Sequence, residues 1–290
     1  MRPPADRLDH SRGRRARQTT EETATQSVPR EVVVTSVAFG VTWVALVVGI
    51  LLAARRSSRA RRWRSRLLAQ WCPALLIALL FLLAGFARGQ VNPLAVAVFC
   101  QALVGLALAR DIPGFEPLPV ARAVARRERA LRSVGLMLAL ALLLYPVSQI
   151  LGGIGMSIGG ALGETNRTTE VAGSFPSNPI QSFFLLLGGA GIAEETIYRL
   201  VAVSLLWRLT RRAWVGVLGG ALLFGLYHLS PLDGLYRTFW EFPISQLLAT
   251  TLIGVLAGIV YVKRGFETAV LLHTLGDWLL LVLMGLGLIR

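Results

Sequence analysis

Two adjacent glutamates and an arginine lie inside an otherwise apolar stretch of this chain. The stretch reads Gly191-Ile-Ala-Glu194-Glu195-Thr-Ile-Tyr198-Arg199. A charge near the middle of a bilayer opposes insertion by about 2.5–3.5 kcal/mol on translocon scales. Such residues are kept when they are paired or hydrated, and they usually mark function. The i,i+4 spacing predicts an ion pair between Glu195 and Arg199. That pair leaves Glu194 free to act on a substrate or on water.

Two further apolar segments carry the other ionisable residues that interrupt the predicted helices of this half of the chain. Phe224 precedes His228 by four residues, which places an aromatic ring beneath the imidazole. His273 and Asp277 have the same spacing and share one helix face. Random loss of hydrophobicity would scatter such residues over all segments. Their gathering in three helices, at similar depths by the helical rise, predicts one shared polar pocket.

The composition places these segments in a membrane. The chain has 290 residues with 54% hydrophobic and 16% charged residues, whereas a soluble domain carries about 25% charged residues. The fold class predicted is all-α and polytopic, with a polar, disordered tail at 1–30, N-terminal transmembrane helices at 31–179 and core helices at 180–290. Eight segments are predicted, with an error of about two to four residues at each boundary: 32–54, 67–87, 93–109, 131–151, 180–207, 213–229, 243–262 and 267–288.

Two local features of the fourth segment and its surroundings are notable. Pro146 makes this segment kinkable. The glycine-rich stretch 152–160 that follows is expected to pack closely against another helix.

The net charge of +14 arises from arginines in the tail and in the loops. Loops rich in arginine alternate along the chain with loops that are poorer in basic residues, which predicts that the basic loops are cytoplasmic and both termini external. Anionic lipid is the expected partner of this charge. Nucleic acid is not expected, because no binding motif accompanies the charge. Lys263 is the only lysine, and this preference for arginine over lysine indicates a GC-rich, bacterial genome. Together with the hydrophobic segments, it predicts a multi-pass protein of a bacterial plasma membrane. The basic loop residues are Arg55, Arg56, Arg59, Arg61, Arg62, Arg64, Arg66, Arg110, Arg122, Arg126, Arg127, Arg129, Arg208, Arg211, Arg212, Lys263 and Arg264.

Three motifs give the chain a resemblance to a known family. They are Glu194-Glu195-Thr-Ile-Tyr-Arg199, Phe224-Gly-Leu-Tyr-His228 and His273-Thr-Leu-Gly-Asp277. In this order they resemble the CPBP family of intramembrane peptidases, the CAAX-processing and bacteriocin-processing group also called Abi, over about residues 180–285. The family pattern has asparagine where this chain has Asp277. An amide donates a hydrogen bond that an ionised carboxylate does not.

The resemblance implies hydrolysis of a peptide bond by an activated water. Glu194 would be the general base, His228 would position the water, and His273 with Asp277 would stabilise the oxyanion. Glu195 and Arg199 would form a structural ion pair. The implied substrate is a membrane-associated or hydrophobic peptide, prenylated or bacteriocin-like, cleaved near its C-terminus.

Other interpretations of the same residues stay open. Phe224 and Tyr198 are expected to pack or to contact substrate. Glu194, His228 and His273 are also adequate zinc ligands, so Zn²⁺ is an alternative to a metal-free site. A non-proteolytic immunity or scaffold protein would use the same polar pocket for binding. A proton-coupled transporter would use these residues as a relay, although no inverted repeat is visible.

Overall fold

The computed structural model describes residues 30–53, 57–87, 92–165 and 167–288. The predicted tail, up to residue 29, lies outside these ranges, as do the predicted loop residues Arg55 and Arg56. All regular elements within the described ranges are helical, which confirms the all-α class. The elements are α1 (Arg30–Ala53), α2 (Ser58–Ala69), α3 (Trp71–Phe86), α4 (Ala95–Arg110), α5 (Pro119–Ala125), α6 (Ala130–Ala161), α7 (Thr168–Gly173), α8 (Pro179–Leu186), π1 (Leu187–Glu194), π2 (Thr196–Val203), α9 (Ser204–Thr210), α10 (Ala213–Tyr227), α11 (Tyr236–Phe239), α12 (Pro243–Arg264) and α13 (Phe266–Gly285).

Four of the described helices are long and apolar enough to cross a membrane, namely α1, α6, α12 and α13. A fifth crossing results if α2 and α3, which meet at an angle of 54°, count as one bent span. The helices α4 and α10 are apolar but shorter. The chain is therefore a multi-pass membrane protein, and the number of eight crossings stays a prediction.

The outward surface of these helices is apolar, as a lipid-facing surface must be. Val41 on α1, Leu83 on α3 and Leu143 on α6 are among the large side chains with more than half of their surface exposed. A soluble protein seldom exposes apolar patches of this extent. The exposed apolar side chains therefore agree with insertion of the helices in a bilayer.

Two predicted boundaries are wrong. The arginine-rich stretch between the first two segments was predicted as a loop, but Ser58–Ala69 forms the helix α2. Arginine, alanine and leucine are good helix formers, and the α2 residue Leu67 is buried in the core. The fourth segment does not end near residue 151, because α6 continues to Ala161.

The glycine-rich end of α6 packs closely, as predicted. A Cβ atom on Gly155 would collide with the backbone nitrogen of Ala249 in α12, and one on Gly159 would collide with the Ser245 hydroxyl. Glu164, just after α6, accepts hydrogen bonds from the backbone amides of Ile244 (2.8 Å) and Ser245 (2.7 Å). The end of α6 is thus joined to the beginning of α12.

The innermost helix is α4. Its residues from Cys100 to Ala109 are all buried, and it packs against α3 on one side and π2 on the other. Gly105 permits this contact, since a Cβ atom there would lie 2.6 Å from the Cβ atom of Leu200. The helix α4 therefore supports the segment that carries the paired glutamates from behind.

Candidate active site

The sequence predicted one continuous α-helix for the segment with the paired glutamates. In the structure only part of this segment is α-helical. It begins as α8, where the Asn178 side chain accepts hydrogen bonds from the amides of Ile180 and Gln181. It then continues as two π-helical runs of 8 residues each, π1 and π2, separated by Glu195. π-Helical turns are rare, usually single, and frequent at functional sites. These side chains were oriented in the sequence analysis by the rotation per residue of an α-helix. A π-helix rotates less per residue, so the side chains point in other directions than predicted.

A glycine brings this segment against α13. A Cβ atom on Gly191 would collide with the Thr274 hydroxyl oxygen, so only glycine permits the close approach of the two backbones. By contrast, a Cβ atom on the neighbouring Gly189 would meet nothing within 4 Å. The contact at Gly191 places the glutamates beside His273, which lies one residue before Thr274.

Glu195 lies at the centre of a buried charged cluster. Its Oε2 lies 3.2 Å from Nε of Arg199, and its Oε1 lies 2.9 Å from Nδ1 of His273. The Glu195 side chain is 0% exposed and that of Arg199 is 1% exposed. Glu195 and Arg199 lie at ion-pair distance, as their spacing predicts, although Nε of Arg199 and Oε2 of Glu195 form no hydrogen bond. The bond to His273 was not predicted. The terminal nitrogens of Arg199 make no hydrogen bond within the described chain, and the guanidinium lies 4.8 Å from the centroid of the Phe224 ring.

Glu194 points into a cavity. Its side chain is 15% exposed, and its Oε2 lies 3.9 Å from Nε2 of His273. It lies close enough to both His228 and His273 for the charges to interact, and Tyr227 lies beside it. Tyr227 was missed in the sequence, although it directly precedes His228. Glu194 thus has access to solvent and a polar setting, while Glu195 is sealed.

His228 is held by an aspartate that the sequence did not single out. Nδ1 of His228 lies 2.6 Å from Oδ2 of Asp233, and the side chains are 12% and 10% exposed. Oδ1 of Asp233 accepts a hydrogen bond of 2.7 Å from the amide of Leu235. Nε2 of His228 is buried and has no hydrogen-bond partner among the described residues. Asp233 was missed in the sequence analysis, and its short spacing after His228 was the available signal.

Asp277 lies on the cavity side of His273. Its Oδ2 is 3.6 Å from Nε2 of His273, and its side chain is 42% exposed. The amide of Gln149, on α6, donates to the carbonyl oxygen of Gly276 at 3.1 Å. His273 is therefore bounded by Glu195 at Nδ1 and by Glu194 and Asp277 near Nε2.

A cavity of about 900 Å³ joins these groups. Glu194, His228, His273 and Asp277 all line it. Much of the remaining wall is apolar and comes from α6, α8 and α13. It includes Gly152, Gly153, Leu185, Leu186, Leu280 and Leu281. The structure thus brings the four predicted catalytic residues together in one cavity, whose wall also contains many apolar residues.

The two aromatic residues predicted to pack or to contact substrate differ in position. Phe224 lines the cavity, and its ring makes edge contacts with His228 (4.8 Å) and His273 (5.4 Å). Tyr198 is 7% exposed and packs against Phe224 and Tyr227. Phe224 fixes the two imidazoles in place, while Tyr198 supports Phe224 from behind.

The alternative of a bound metal was tested against this geometry. Within the ranges that the structure describes, no three His, Cys, Asp or Glu side chains form a group that could hold a metal ion. Each imidazole has its Nδ1 bonded to a carboxylate. Glu194, His228 and His273, as they are placed, therefore do not fit the alternative of a zinc site.

The fold and the site together define a multi-pass, all-helical protein with acid and imidazole groups at an intramembrane cavity. Residues 176–279 match the family model described as Type II CAAX prenyl endopeptidase Rce1-like. This segment covers a little over a third of the chain and contains all three motifs, so it confirms the resemblance to the CPBP and CAAX protease family. Members of the family are intramembrane proteases. Neither a curated protein sequence nor a solved structure matches the chain.

Proposed function

We propose that the protein is an intramembrane endopeptidase in which Glu194 activates the attacking water. The observation that carries this proposal is the convergence of Glu194, His228 and His273 on one cavity. Each imidazole is also oriented by a carboxylate at Nδ1. Because a carboxylate at Nδ1 fixes the ring and its tautomer, the Nε2 atoms are left for chemistry.

The roles follow from this arrangement. Neutral His228 donates its Nδ1 proton to Asp233 and accepts a hydrogen bond from the water at Nε2. Glu194 takes a proton from that water as hydroxide attacks the substrate carbonyl carbon, and it later returns the proton to the leaving amine. His273, when protonated on both nitrogens, donates from Nε2 to the oxyanion. Asp277 and Glu195 hold His273 in position for this step.

The apolar wall indicates the substrate class. A cavity in which Glu194 and the two imidazoles lie beside apolar residues of α6, α8 and α13 accommodates a peptide bond next to Glu194 and an apolar group along those residues. The family description supports a C-terminal Cys-a-a-X peptide with a prenyl group. A hydrophobic, bacteriocin-like peptide is the second form of this class. The arginine bias supports a bacterial plasma membrane as the location.

The test compares variants of the purified protein in a neutral detergent. The probe is a quenched fluorescent peptide ending in a farnesylated Cys-a-a-X, with the same unfarnesylated peptide in parallel. Glu194→Gln and His228→Ala are each expected to lower kcat by roughly 10²–10⁴-fold, the usual contribution of a general base. Glu241→Gln is the matched control, because Glu241 is half exposed and pairs with Arg167 on the surface. Cleavage that survives both substitutions would refute the proposal.

A further inference from the structure

The end of the molecule that carries α2 presents many unpaired cations. Arg59, Arg61, Arg62 and Arg64 of α2 are all exposed. None of the four forms an ion pair within the described part of the chain. The α9–α10 and α12–α13 turns at the same end add further exposed basic residues. We call this surface the basic face.

The carboxylates at this end are already engaged inside the protein. Asp111 pairs with Arg66 of α2 at 2.5 Å and with Arg208 of α9 at 3.0 Å. Glu267 accepts a hydrogen bond of 2.9 Å from the α5 backbone. Glu128 is the exposed exception. The protein therefore does not neutralise the arginines of α2 itself, and the compensating negative charge must come from outside.

The geometry of α2 places these arginines at a membrane surface. The helix α3 exposes leucines along its length, including Leu79 and Leu83, and α2 turns away from it by 54°. At the junction, Leu68 is 50% and Trp71 is 48% exposed. Tryptophan at the end of an apolar helix is typical of the bilayer interface. The exposed arginines of α2 surround the part of the helix that does not pack on the core, and exposed apolar residues follow at its end. Exposed basic residues next to exposed apolar ones are typical of a helix at the bilayer interface.

We propose that α2 is an interfacial helix whose exposed arginines bind the phosphate groups of anionic phospholipids. Guanidinium groups bind phosphate oxygens through paired N–H donors. On the other side of α2, Trp63 and Leu67 pack into the protein core. Binding therefore fixes lipid against the body of the protein and not against a mobile loop. This surface is separate from the cavity and does not depend on the proposed peptidase activity.

The experiment measures lipid selectivity of the full-length protein in phosphatidylcholine vesicles. Spin-labelled phosphatidylglycerol and spin-labelled phosphatidylcholine are compared at trace amounts, and electron paramagnetic resonance gives the immobilised fraction of each. Wild-type protein is expected to prefer phosphatidylglycerol several-fold, with a preference that falls as salt is raised. Replacing Arg59, Arg61, Arg62 and Arg64 by glutamine is expected to bring the ratio close to one. Each arginine that is replaced is expected to lower the preference for phosphatidylglycerol by at most about five-fold.

The matched control replaces by glutamine four exposed arginines that lie outside the basic face, around the beginning of α6, namely Arg126, Arg127, Arg129 and Arg132. The control is expected to lower the preference clearly less. An unchanged preference in the α2 variant would overturn the proposal. An equal loss in both variants would also overturn it, because bulk charge would then explain the effect. Thermal unfolding in detergent checks that each variant is folded.

Discussion

Replacing Asp233 by asparagine tests how the site controls His228. Asp233 holds Nδ1 of His228 through Oδ2 at 2.6 Å, and its Oδ1 accepts from the Leu235 amide at 2.7 Å. Asparagine keeps an oxygen for the Leu235 amide, so the loop retains its anchor. The atom facing His228 becomes an NH₂ group, which only donates. Nδ1 must then accept, and the proton moves to Nε2, where the proposed mechanism needs an acceptor.

The size of the effect follows from the lost bond. A hydrogen bond to a charged group contributes about 1.5–3 kcal/mol. Loss of this amount from the transition state lowers kcat by roughly 10- to 150-fold. KM is expected to stay near the wild-type value, because the tautomer of His228 matters for the attacking water and not for the apolar contacts of the substrate. Asp233→Glu is expected to restore part of the rate.

The assay is cleavage of the farnesylated peptide, with ¹⁵N chemical shifts of the histidine rings as a direct report on the tautomer. Glu241→Gln serves again as the control for removal of a surface carboxylate. A folded Asp233→Asn protein with wild-type kcat would refute the reasoning. A lower kcat with an unchanged His228 tautomer would also refute it, since the aspartate would then act by another route.

Three further predictions concern stability, measured by thermal unfolding in detergent. Arg199→Met is expected to cost about 3–5 kcal/mol, because it leaves Glu195 charged, buried and without its ion-pair partner; a cost below 1 kcal/mol would contradict a charged pair. Gly191→Ala is expected to cost about 1–3 kcal/mol through overpacking against α13, while Gly189→Ala, which meets open space, is the control and should be close to neutral. Glu164→Gln is expected to cost about 1 kcal/mol at neutral pH, as loss of a helix cap does, and the cost should vanish in acid.

The acid dependence at Glu164 has a definite sign. Burial alone would raise the pKa of Glu164, but hydrogen bonds from the Ser245 and Ile244 amides outweigh it and hold the pKa below its ordinary value. A carboxyl with a lowered pKa stabilises the folded state above its unfolded pKa, and this contribution is lost as pH falls through the folded value. The difference between wild type and Glu164→Gln should therefore shrink below about pH 4.5. A difference that persists in acid would show that the cap does not depend on charge.

Much of the site was predictable because the spacing of charged residues in apolar segments has few explanations. The Glu195–Arg199 pair and the gathering of Glu194, His228 and His273 both follow from the cost of charge in a membrane. The bond between Glu195 and His273 did not follow. It depends on the contact at Gly191 and on the π-helical turn, and neither leaves a periodic signal in the sequence.

Asp233 and α2 were missed for different reasons. Asp233 lies in a turn between α10 and α11, and a turn has no face that would align it with His228. The helix α2 is dominated by arginine, so hydropathy classed it with the loops, although the residues that face the core, Trp63 and Leu67, have helical spacing. The helical class of the protein was predictable from composition. The directions in which the side chains of π1 and π2 point were not predictable, because they depend on the π-helical geometry.

The π-helical stretch makes the chemistry more fragile than the fold. A π turn contains about one residue more than an α turn, so deletion of a single residue within π1 or π2 can return that run to α-helical geometry. The membrane protein would still assemble, but every side chain beyond the deletion would rotate out of phase with His273. Loss of one codon in this stretch is therefore expected to abolish the proposed peptidase activity while the transmembrane helices stay in place.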